Sequence, residues 1–131
     1  MPDRRPKSTR RPKRRPANRL RDRRPRVADR IAVVLSTAPR RAGKVIAKAL
    51  VDARVAACVN VVPGVESVYR WKGRTERARE VLLVIKTTAA SVRACRGMLT
   101  RLHPYEVPEV LVVHADGASP AYARWVHAST A

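Results

Sequence analysis

Apolar residues fall along this chain in short blocks whose spacing changes from block to block, and the changes mark out its elements. Ile31-Ala32-Val33-Val34-Leu35 is a continuous run rich in β-branched residues, which predicts a buried strand. Thr37 and Pro39 then supply helix-start chemistry. Gly43, Ile46, Ala47 and Leu50 recur at helical spacing with Arg41, Lys44 and Lys48 on the other side, so a helix is predicted over 40–53. Over 57–72 the pattern alternates: Val59, Val61, Val65, Tyr69 and Trp71 share one parity, while Asn60, Glu66, Arg70 and Lys72 share the other. Pro63-Gly64 interrupts it and favours a bulge or bend. Lys72-Gly73-Arg74 signals a turn into Val81-Leu82-Leu83-Val84-Ile85, a run without alternation that reads as a strand buried on both faces. The two strands are expected to form a hairpin.

Ser91 is placed to cap a helix whose stripe is Val92, Cys95, Leu99 and Leu102 and which the His103-Pro104 step ends. Val110-Leu111-Val112-Val113 is a further strand. Gly117 and Ser119-Pro120 open a last helix with Tyr122, Trp125 and Val126 on one side. The order β-α-β-β-α-β-α predicts an α+β, ferredoxin-like β-α-β-β-α-β sandwich with an added C-terminal helix, the helices covering one face of an antiparallel sheet. Sixteen residues in strand geometry span about 50 Å, whereas a domain of this size is roughly 30 to 35 Å across. The first hairpin strand must therefore bend sharply or project, exposing Val65, Tyr69 and Trp71 together with open edges that a partner normally covers. A homo-oligomer is expected.

Composition divides the 131 residues unequally. Residues 1–26 carry +11 of the net +19 and five of the ten prolines, with Met1, Ala17 and Leu20 as their only apolar residues. Such a segment cannot bury enough surface to offset its ordering entropy, so residues 1–28 are expected to be a disordered Arg/Pro-rich basic tail ahead of a domain over 29–131. A basic tail can make nonspecific nucleic-acid contact through counterion release, but no aromatic interleaves with its arginines to read bases. No membrane span is expected, because no apolar run approaches the roughly 20 residues needed. Without a secretory pattern, and with prolines breaking any transit helix, a soluble cytoplasmic protein is expected. Cys58 and Cys95 show no disulfide or metal-ligand spacing; Cys95 reads as core, and Cys58 lies within an apolar strand pattern.

Candidate chemistry concentrates in His103-Pro104-Tyr105-Glu106-Val107-Pro108-Glu109. The prolines stiffen it and hold His103 and Val107 extended. Two readings stand side by side: a binding or catalytic surface, and a rigid helix-to-strand connection. Glu76 and Glu80 with Glu106 and Glu109 either gather carboxylates across an interface for a hard or borderline cation, or join Arg70, Lys72, Arg74, Arg77 and Arg79 in a surface charge network. Lys86, following the apolar strand, either reaches solvent or places an ammonium at the mouth of an inter-subunit cleft beside Trp71, His103 and Tyr105, where an anionic ligand could dock. No nucleophile-plus-base motif supports an enzyme.

Ala57-Cys58-Val59-Asn60, Pro63-Gly64, Ser67-Val68-Tyr69-Arg70-Trp71-Lys72-Gly73, Glu80 with Lys86-Thr87, and the His103–Glu109 heptad occur together in an order that resembles the CutA family of divalent-cation tolerance proteins. Thr37-Ala38-Pro39, Gly117, Tyr122 and Trp125 extend the likeness to everything but the tail. The resemblance implies a non-enzymatic homotrimer with hairpins paired across subunits, associated with tolerance to copper or other divalent cations. It also implies similarity to the trimeric PII signalling proteins, which hold small ligands in inter-subunit clefts. Carried over by residue, Cys58 and His103 are its metal-donor candidates; Trp71, Lys86, Tyr105, Glu106 and Glu109 are the candidates for a ligand-binding inter-subunit cleft. Where some relatives have a cysteine before Thr-Ala-Pro this chain has Ser36, so that position lacks the soft thiolate that favours copper(I).

Overall fold

The computed structural model describes residues 30–131, and the expected disordered tail over 1–28 lies outside the described residues. Strand β1 (Ile31–Ala38) runs three residues past the apolar block. Its even-numbered side chains explain the extension, since Ala32, Val34, Ser36 and Ala38 are all fully buried. Thr37 is accordingly a strand residue, not a helix start. Pro39 occupies the N-cap position of α1 (Arg40–Asp52) and makes no side-chain cap. The stripe buried along α1 is the expected one: Gly43, Ile46, Ala47 and Leu50.

β2 (Cys58–Trp71) and β3 (Arg74–Thr88) form the hairpin. Its two-residue loop has φ 49° at Lys72 and 78° at Gly73, the paired left-handed conformations of a type I′ turn, whose twist suits the flanking strands. The Pro63-Gly64 step is a bulge. Val62 pairs with Leu82 and Val65 with Glu80, so two residues of β2 oppose Val81 alone, with Gly64 at φ 73°. One inserted residue reverses which face each later side chain takes. Val59 and Val61 pack on the core, whereas Val65, Tyr69 and Trp71 emerge on the opposite face of the sheet despite their shared sequence parity. The single face expected for all five is thus corrected to two.

After a 3-10 turn come α2 (Val92–Leu102), β4 (Leu111–His114) and α3 (Pro120–Ser129). The sheet is antiparallel with order β2-β3-β1-β4, which makes the domain the expected α+β ferredoxin-like sandwich with a C-terminal helix. Ile46 and Leu50 of α1 and Cys95 and Leu99 of α2 pack against Val34, Val81, Leu83 and Ile85. Cys95 is core, as its helical stripe predicts, and burial pushes its thiol pKa up to about 11. Leu102, the last residue of that stripe, is left 42% exposed.

α1 and α2 share one face of the sheet, but α3 does not join them. Its Val126 packs with Ile31 and Ala57, and Ile31 alternates away from the α1/α2 side of β1. Ser91 stands at the N-cap position of α2 without capping it. Its hydroxyl instead donates to the Ala131 carbonyl at 3.2 Å and accepts from Thr88 Oγ1 at 3.1 Å, tying the segment after α3 to the end of β3. The rest of the second face is half-covered at Val33, Leu35, Leu82 and Val84, and Leu111 and Val113 are more than half exposed. The β3 run expected to be buried on both faces is therefore fully covered on one within a single copy. Among the described residues no helix is long and apolar enough to cross a membrane.

Candidate functional site

The chain leaves α2 at His103 in extended geometry, as a residue before proline should. Its imidazole then does structural work on both nitrogens. Nδ1 accepts the Tyr105 backbone N–H at 3.1 Å, so Nδ1 carries no proton and the hydrogen sits on Nε2, which donates to the Thr37 carbonyl at 2.8 Å. A neutral ring of one tautomer thereby clamps the His103–Glu109 loop to the end of β1. The arrangement is 93% shielded from solvent at His103 and sets the Tyr105 ring 4.7 Å from the imidazole.

So positioned, Tyr105 Oη donates to Glu80 Oε2 at 2.7 Å. Desolvation first, and then the Glu80 carboxylate beside it, hold the phenol well above its usual pKa. Glu80 is 6% exposed and pairs with Val65, the first residue after the reversal, so the bulge brings Tyr69 and Trp71 onto the face that Glu80 takes by its place in β3. Between this face and the loop lies a cleft of about 710 Å³. Tyr69, Trp71 and Tyr105 give it aromatic walls, and Glu80, Glu106 and Glu109 give it three carboxylates. None of the three is ion-paired with a basic side chain among the described residues, so they are not tied into the surface network with the hairpin arginines.

Four of the expected cleft residues, Trp71, Tyr105, Glu106 and Glu109, are thus brought together in one copy. Lys86 is not beside them. It pairs with Cys58, six residues along β3 from Glu80, or about 20 Å. Cys58 is half-buried near Tyr122, whose phenol is raised mainly by burial and secondarily by that thiol. The Thr37 carbonyl that holds His103 belongs to a residue paired with Leu82, four positions from the Cys58 partner, or about 13 Å along β3. Cys58 and His103 therefore do not meet within one copy, and among the described residues no three His, Cys, Asp or Glu side chains converge as a metal would require. Sequence patterns alone did not bring out Thr37 and Ser67 as cleft residues or the Glu80–Tyr105 bond. The available signal was Glu80 itself, a carboxylate abutting an uninterrupted apolar run.

The family of CutA1 divalent ion tolerance proteins matches residues 31–129. The chain belongs to the CutA1 family. It is 41% identical over 99 residues to the divalent-cation tolerance protein CutA of Thermus thermophilus, covering 75% of this chain and 96% of that one. It is 45% identical over 87 residues to mouse protein CutA, covering 66% of this chain and 49% of the mouse protein. The chain spans about half the length of the mouse, Arabidopsis and Xenopus CutA proteins. In three dimensions the Thermus CutA1 structure superposes with a TM-score of 0.75 at 40% identity, covering 77% of this chain and 99% of that one. A Nostoc protein described as PII-like CutA superposes at 0.73 with 33% identity, over 76% of this chain and 97% of that one. The CutA1 match leaves out only residues 1–30 and the last two, so both the clamp and the cleft lie within it.

Proposed function

We propose that this CutA1 chain is a non-enzymatic cytoplasmic protein that assembles as a homotrimer and binds copper or another divalent cation as part of metal tolerance. Membership of the divalent ion tolerance family carries the reading. The trimer is supported by the apolar sheet face left open at Leu111 and Val113 and by a hairpin whose strands are 14 and 15 residues long. Because the donors do not converge within one copy, the cation is held between copies. The half-buried Cys58 thiol is the soft donor, and His103 joins it only by releasing the Tyr105 N–H. Two free thiols accord with a reducing compartment. A PII-like role with a small anionic ligand is less well served by this cleft, where three carboxylates oppose an anion.

Native mass measurement with and without copper, paired with calorimetry, tests the proposal. A trimer with a fixed metal stoichiometry is expected. A stable monomer, no binding of copper(II) or of copper(I) under reducing conditions, or equal binding by the Cys58→Ala/His103→Ala double variant would each reject it.

A further inference from the structure

The two helices over the sheet carry charge that their fold does not require. Residues 30–131 hold sixteen Lys or Arg against seven Asp or Glu, a net +9, and α1 and α2 alone account for +6 of it. Arg40, Arg41, Lys44 and Lys48 on α1 are all exposed, as are Arg93, Arg96 and Arg101 on α2. Asp52 is the one acid on either helix, and among the described residues the only ion pair there joins it to Lys48. The hairpin, by contrast, intersperses its arginines with Glu66, Glu76 and Glu80. The helix charges oppose the helices that display them. Arg41 and Lys44, Lys44 and Lys48, and Arg93 and Arg96 are three or four residues apart, where like charges repel. Arg40, Arg41 and Arg93 also fall in first turns, which hold no acid and where the helix dipole disfavours a cation. An anionic partner reverses the sign of the first effect and offsets the second.

We infer that the outer face of α1 and α2 binds the phosphate backbone of a double-helical nucleic acid without reading its sequence. α1 and α2 cover the sheet face opposite the open apolar one, so the proposed trimer leaves them in solvent. Five of the seven basic groups are arginines, whose forks match phosphate oxygens. α1 extends about 20 Å, along which a duplex presents about twelve phosphate charges. That is enough to engage every basic group on both helices. Two absences narrow the partner further. Neither helix has an aromatic residue on which unpaired bases could stack, which disfavours a single strand. Val45 is the one large apolar side chain more than half exposed on either helix, too little to anchor the face in a lipid surface. The inference rests on charge placement, not on the metal reading, and its test uses no metal.

Fluorescence anisotropy of a labelled, mixed-sequence DNA duplex titrated with the full chain over a salt series supplies the test. Arg41→Gln, Lys44→Gln, Arg93→Gln and Arg96→Gln together should reduce the slope of log affinity against log salt by about 3 to 4. An unchanged slope would overturn the inference and assign any binding to charges elsewhere in the chain. The same number of changes on the hairpin, Arg70→Gln, Arg74→Gln, Arg77→Gln and Arg79→Gln, should alter the slope by about 1 or less. Equal losses from the two sets would reduce the effect to net charge and overturn the assignment to this face. The helix variant should melt no lower than the parent, since its substitutions relieve repulsion; a lower Tm would refute the claim that these charges oppose folding. Tighter binding of a single strand, or binding to phosphatidylserine vesicles with none to the duplex, would overturn the choice of partner.

Discussion

Replacing Tyr105 with phenylalanine removes one hydroxyl and leaves the ring, so it isolates the bond that joins the heptad loop to the hairpin. That bond is 2.7 Å long, from a phenol to a carboxylate that is 6% exposed. Hydrogen bonds to charged groups contribute about 1.5–3 kcal/mol. Tyr105 is 38% exposed, so water can partly replace the lost donor, and a loss of about 1–2 kcal/mol is expected after that discount. For a domain near 100 residues this lowers Tm by roughly 5–15 °C at fixed protein concentration. The assay is a double-mutant cycle of Tyr105→Phe and Glu80→Gln by denaturant unfolding, with an expected coupling of about 1 kcal/mol or more. The pH dependence supplies a second readout. The folded phenol has a raised pKa, so its contribution is intact below the ordinary value near 10 and is lost as pH rises from there, because the unfolded chain releases the proton first. Tyr105→Phe should flatten the stability curve above pH 10. A coupling under about 0.3 kcal/mol, together with an unchanged alkaline slope, would refute the reasoning.

Ser36→Ala should leave stability unchanged or raise it by up to about 2 kcal/mol in thermal unfolding, since the fully buried Ser36 hydroxyl has no hydrogen-bond partner within the described residues. Cys95 makes the fold sensitive to alkali: its thiol moves from 9.0 to about 11 on burial, so stability should fall between those values, by at most about 3 kcal/mol. Cys95→Ala should lose that slope while lowering stability at pH 7, which a pH series of denaturant curves would show. Gly43→Ala should destabilise by about 1–2 kcal/mol despite the better helix propensity, because the new Cβ collides with Val81 Cγ2 and also meets Leu83 and Ala38. Adding Val81→Ala should recover part of that loss, and a simple sum of the two single effects would argue against the collision.

The elements of this fold were legible because their signals are local. The α1 stripe, the α2 stripe through Cys95 and Leu99, the Lys72-Gly73 turn and the Ser119-Pro120 helix start each depend on residues within a few positions of one another. Even the Pro63-Gly64 bulge was visible as an interruption. Its consequence was less visible, since a period of two carried across it puts Val59 and Trp71 on one face, while the inserted residue puts them on opposite faces. Ser91 shows the same limit on a smaller scale: its identity and position fit a cap, but the nearby Ala131 carbonyl takes its hydrogen bond.

By itself the sequence determined the α+β order, the hairpin, the core stripes and the likeness to CutA1, all of which are written in spacing and residue type. Only the tertiary structure decided which chemical groups meet. Glu80 reaches Tyr105 across 25 positions because His103 spends both nitrogens clamping the heptad loop to Thr37, 66 positions away, while the bulge brings Tyr69 and Trp71 to the same face. The reason is that propensity and periodicity act over one or two turns of chain, whereas strand register and loop closure set the distances between side chains remote in sequence.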